Sequence, residues 1–66
     1  MIPIGTLITG NPDYPTTLSS FPERRVGVIL GCGDFDTFST IYKILFLDGV
    51  HMELEGFVRN YYEVHE

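Results

Sequence analysis

A single cysteine, Cys32, in a chain of 66 residues closes off the usual ways of stapling so small a domain. One thiol forms no internal disulfide, and a structural zinc site wants about four ligands, commonly cysteines. A domain of this size buries only about 60% of the surface its unfolded chain exposes. It must therefore be held by a well-filled core or by a partner. The composition supplies a core: 44% of residues are hydrophobic, with five Phe and four Tyr. That content excludes disorder as the resting state. There is room for one domain, residues 1–66.

The charge balance narrows the partners. Nine acids stand against four bases, Arg24, Arg25, Lys43 and Arg59, for a net charge of -5. Nucleic-acid binders neutralise phosphates with clustered Lys and Arg, and two adjacent arginines do not make a basic face. No nucleic-acid partner is expected. No apolar run approaches the roughly 20 residues of a membrane span, so no membrane partner is expected either. The start, Met1-Ile2-Pro3-Ile4-Gly5, lacks the basic region and apolar run of a signal peptide, and a free cysteine suits a reducing compartment.

The apolar residues alternate or cluster in short runs rich in Val, Ile, Tyr and Phe, with glycines between them, which is strand chemistry. No helical period of useful length is present. Strands are expected at Gly5–Thr9, Arg25–Gly31, Thr40–Phe46, Val50–Glu55 and Tyr61–His65. Gly10 to Glu23, with Pro12, Pro15 and Pro22, reads as a long first loop. Its Tyr14, Leu18 and Phe21 are expected to tuck back onto the body. Gly56 reads as a bulge or bend.

The hairpin near Asp48-Gly49 has two candidate registers. A loop of Asp48 and Gly49 sets Phe46 against His51 and Ile44 against Glu53. A loop of Leu47, Asp48 and Gly49, with Gly49 at positive φ, sets Phe46 against Val50, Ile44 against Met52, Tyr42 against Leu54 and Lys43 against Glu53. The second makes one apolar face and one cross-strand ion pair. It predicts that Tyr42, Ile44, Phe46, Met52 and Leu54 face inward with Val26, Val28 and Leu30. Five short strands, a long first loop and a tight hairpin predict an all-β fold, a small five-stranded SH3-like barrel. An OB-fold is second, since it normally needs a longer chain and a helix.

Arg25-Val26-Gly27-Val28-Ile29-Leu30, Tyr42-Lys43-Ile44-Leu45-Phe46, Asp48-Gly49, Glu53-Leu54-Glu55 and Glu63-Val64 together resemble small SH3-like proteins of tailed bacteriophages, cyanophages especially. The same rhythm occurs in Tudor-like domains. The resemblance covers about residues 25–64 and rests on strand and turn residues. It implies a fold and a phage origin, hence a place in the cytoplasm of an infected bacterial cell or in a virion. It implies no activity. The absence of Trp argues against the proline-rich ligands of signalling SH3 domains.

No residue set spells a reaction. Val26 to Gly33 opens like a dinucleotide fingerprint, but position 36 is Asp where a third glycine belongs, and no helix is expected to follow. Cys32 with His51 or His65 lacks the third, orienting group of a nucleophile–base pair. His51, Glu53, His65 and Glu66 are ligand-type residues, and nothing in their spacing makes them converge. Catalytic, metal and cofactor sites are therefore expected to be absent. Tyr14, Phe35, Phe38, Phe57, Tyr61 and Tyr62, with Asp34, Asp36 and Glu63 near them, are the raw material of an aromatic cage for a cation, although aromatics in small barrels mostly pack.

The expected function is that of a non-enzymatic interaction or structural module. It binds a protein partner or a second copy of itself through Ile41, Leu45 and Leu47. The alternatives are an acidic inhibitor of a host protein and an aromatic-cage ligand-binding module. The self-association reading competes with one in which the Gly10 to Glu23 loop covers the same patch with Leu18 and Phe21.

Overall fold

The computed structural model describes residues 1–11 and 22–66. The Gly10 to Glu23 loop, with Tyr14, Leu18 and Phe21, thus lies mostly outside the described residues. Among these residues five strands are formed: β1 Leu7–Gly10, β2 Val26–Asp34, β3 Thr40–Phe46, β4 Gly49–Leu54 and β5 Tyr62–His65. They make one antiparallel sheet in the order β4-β3-β2-β1-β5. The first four strands meander, and β5 returns beside β1, with Ile8 opposite Val64. The fold is thus mostly β, as expected, but the sheet is open, with β4 and β5 as its edges.

One element contradicts the sequence reading. Glu55–Tyr61 is a short helix, α1, where a strand end and a bend were expected. No side chain caps its N-terminus, Gly56 is a poor helix former, and seven residues are too few to show a period. Packing stabilises it instead: Val58 is fully buried, and Phe57 and Tyr61 lean on the core. The lack of a helix therefore no longer counts against an OB-fold.

One face of the sheet carries the core. Ile8, Ile29, Tyr42, Ile44, Phe46 and Tyr62 are buried there, closed over by Ile2 and by Val58 of α1. The hydroxyls of Tyr42 and Tyr62 reach polar partners at the edge of this apolar interior. The Tyr42 hydroxyl accepts from the Ile2 amide at 2.9 Å and donates to the Glu55 carboxylate at 2.9 Å. The Tyr62 hydroxyl donates to the Arg24 carbonyl at 2.8 Å. Among the described residues, no buried side-chain nitrogen or oxygen lacks a partner, as a small core of this kind requires.

Burial raises the pKa of both phenols; Tyr62, also beside the charges of Glu53 and Asp48, is pushed up to about 12 from the ordinary 10.0. A group whose pKa is raised on folding lends stability that is complete below its unfolded pKa and lost above it. Stability is therefore expected to fall as pH rises from about 10 to 12. A urea midpoint measured at each pH checks this. A midpoint flat across that window would mean that the two phenols are solvated.

The register of the β3–β4 hairpin differs from the expected one. Phe46 pairs with Gly49, Leu45 with Val50, Ile44 with His51, Lys43 with Met52, Tyr42 with Glu53 and Ile41 with Leu54. The connection is two residues, Leu47 and Asp48. Gly49 does have a positive φ, 122°, but as the first residue of β4. The tip is tied down from outside the hairpin. The Leu47 amide donates to the Glu23 carbonyl at 3.1 Å, and the Asp48 carboxylate takes Arg24 and His51, each at 3.0 Å. A slip of one residue turns a whole strand over. Tyr42, Ile44 and Phe46 remain inward, but Met52 and Leu54, expected inside, are exposed, and Lys43 does not meet Glu53.

β2 is turned over in the same way. Gly27 and Ile29 face inward, whereas Val26 and Leu30 are exposed and Val28 is half-buried. A bulge between Ile29 and Gly31 shifts the register there. This strand is apolar on both faces, so alternation does not choose between them. The Phe46 ring occupies the space beside Gly27, and that settles the choice.

Candidate functional site

Turning β2 and β4 over gathers apolar residues on the outer face of the sheet. Leu7, Val28, Leu45 and Val50 stand opposite one another in register across β1, β2, β3 and β4. Flanking this row are Val26 on one side, and Met52, Ile41 and Leu54 on the other. Leu7, Val26, Leu45, Val50, Met52 and Leu54 are each between 39% and 53% exposed. The sheet pleat explains the geometry: alternate residues share a face, and residues paired across strands lie about 5 Å apart. A scattered exposed Leu needs no account; a contiguous apolar face marks a contact surface.

Leu45 belongs to this row, and Ile41 and Leu47 border it. Ile41 and Leu45 lie on the outer face of β3, and Leu47 stands at the hairpin tip, 86% exposed. Sequence reasoning missed Leu7, Val26, Val28, Val50, Met52 and Leu54, because the expected arrangement put Val26, Val28, Met52 and Leu54 inside and set Val50 against the inward Phe46. Nothing in β4 signalled this: its apolar residues alternate with His51 and Glu53, a pattern that by itself points the apolar set inward, whereas the structure leaves Val50, Met52 and Leu54 exposed.

Across β2, β3 and β4 the face carries one charge, Lys43, which forms no ion pair among the described residues. Glu63 stands on the rim, on β5. The inner side of β4 is polar: the His51 ring lies tilted against Phe46 with centroids 5.8 Å apart. Desolvation works to raise the Asp48 pKa, but the hydrogen bond from Arg24 and the His51 charge outweigh it and hold the carboxyl below its usual range.

The chemistry-bearing residues do not come together. Cys32 is exposed on β2, its thiol 3.3 Å from the Met1 sulfur. His51 is engaged with Asp48 on the edge strand β4. His65 contacts the Thr9 hydroxyl at 2.7 Å on the opposite edge, β5. Glu66 lies 3.9 Å from Arg59. Among the described residues, no group of three or more His, Cys, Asp or Glu is placed to hold a metal ion. No helix among them is long and apolar enough to cross a membrane.

The aromatic residues divide. Tyr62 is buried; Tyr61 and Phe57 pack on the core with ring centroids 4.8 Å apart. Tyr14 lies outside the described residues. Phe38 is 96% exposed on the β2–β3 loop, and Phe35 is exposed beside it. Phe38 and Phe57 border a shallow pocket of about 320 Å³ that also touches Leu54 and Glu55. Its carboxylate is already engaged: Glu55 accepts from Tyr42 and lies 3.8 Å from Arg59. A cation entering the pocket would have to displace Arg59, so this arrangement is a weaker candidate than the outer face. No family model, curated protein or solved structure matches the chain.

Proposed function

We propose that this chain is a non-enzymatic interaction module that binds protein through the outer face of its sheet. The observation that carries the reading is the in-register apolar row Leu7, Val28, Leu45 and Val50, with Met52 and Leu54 beside it. A face free of acids at its centre and polar at its rim has the composition of a protein contact. Within this reading the fold is an SH3-like barrel of the kind that tailed bacteriophages encode, left open between β4 and β5. The meander of four strands with the fifth beside the first supports that placement, and so do the turn residues that carry the resemblance.

The test is capture by the immobilised protein from the cell that makes it, compared with a Leu45→Lys, Val50→Lys variant of unchanged circular dichroism. Capture by the native protein and loss in the variant is the expected result. Equal capture by both discards the face. Failure of the native protein to engage any protein, itself included, discards the interaction role.

A further inference from the structure

We propose that the occupant of the outer face is a second copy of this chain, packed sheet against sheet about a two-fold axis; this rests on the interaction role given above. Three observations point to a copy rather than to another partner.

The first is geometry. Two sheets packed face to face lie about 10 Å apart and interleave their side chains. The row Leu7, Val28, Leu45 and Val50 presents one aliphatic side chain from each of four neighbouring strands. A two-fold contact uses the same patch on both molecules, and a row of similar aliphatic side chains is complementary to itself. Edge-to-edge joining through β4 is disfavoured, because that strand turns His51 and Glu53 to its inner side, and inward charges blunt an edge. Stacking of faces, unlike joining at either edge, covers the apolar row.

The second is area. Strands about 4.8 Å apart, with about 3.3 Å per residue, make the apolar part of the face about 20 Å in each direction. Two such faces remove on the order of 1,000 Å² from water, near the lower bound of specific interfaces. An interface at this lower bound is expected to be weak, so that dilution takes the dimer apart.

The third is charge. Among the described residues Lys43 forms no ion pair on the face, while the chain carries a net charge of -5 and has Glu63, paired with Thr9, on the rim of the same face. A copy of the chain therefore brings carboxylates towards this cation. Among the described residues the other acids lie off the apolar rows, so their mutual repulsion is screened at ordinary salt.

Sedimentation velocity between about 1 and 500 μM, a range that brackets a micromolar constant, tests this. The expected result is a concentration-dependent shift from monomer to dimer. Leu45→Lys with Val50→Lys is expected to stay monomeric throughout, with unchanged circular dichroism. Should that pair fail to fold, Val50→Thr with Met52→Gln keeps strand-compatible, uncharged side chains and is expected to weaken the dimer at least tenfold. A sharp monomer at every concentration overturns the inference. If capture from the cell is still lost in the variant, the interaction role survives with a different occupant. A dimer that both variants leave unchanged overturns the assigned face.

Discussion

Phe46→Ala is expected to unfold the domain. Phe46 is 4% exposed, and its ring meets Tyr62 with centroids 5.9 Å apart. It also lies over the backbone of Gly27. Deleting a buried Phe side chain removes about 3–5 kcal/mol. A domain of 66 residues has on the order of 3–10 kcal/mol in total. The loss is thus comparable with the whole stability. Far-UV circular dichroism and a urea titration at 25 °C check it. A variant with a cooperative transition less than about 1 kcal/mol below the parent would show that the ring is not the centre of the core.

Gly27→Ala is expected to destabilise despite adding a better strand former. A glycine inside a strand ordinarily loses about 0.5–1 kcal/mol relative to alanine, so the naive sign is a gain. The packing reverses it. A Cβ at position 27 would lie 2.7 Å from Phe46 Cε1 and 2.8 Å from Ile44 Cγ2. Both side chains are buried and cannot swing into solvent. Overpacking of this kind amounts to about 1–3 kcal/mol, which outweighs the entropic gain. The same titration measures it. A smaller ring-site residue should relieve the clash, so Gly27→Ala combined with Phe46→Leu is expected to be non-additive. A more stable Gly27→Ala protein would mean that the Phe46 ring lies elsewhere.

The two substitutions bear on where sequence reasoning succeeded. The strands were legible because β-branched and aromatic runs punctuated by glycine have little alternative, and Thr40–Phe46 forms as expected. Tyr42, Ile44 and Phe46 were legible as core because they alternate with Lys43 on the opposite face. Gly49 was legible as a positive-φ residue because a hairpin closing on Asp-Gly needs one. Helix α1 was not legible, since its seven residues show no period and are held by the burial of Val58 rather than by propensity. The named surface was legible only at Ile41, Leu45 and Leu47.

By itself, then, the sequence determined an acidic chain with no internal disulfide, built mostly of short strands. It also settled which side of β3 is the core. The tertiary structure alone decided which sides of β2 and β4 face in, and hence that an apolar face is left outside. The reason is physical. On a strand that is apolar on both faces, or whose apolar set could serve either side, alternation specifies two groups of residues but not which group is buried. The anchoring of Leu47 and Asp48 to the chain before β2, and the Phe46 ring over Gly27, make that choice through contacts between residues far apart in sequence.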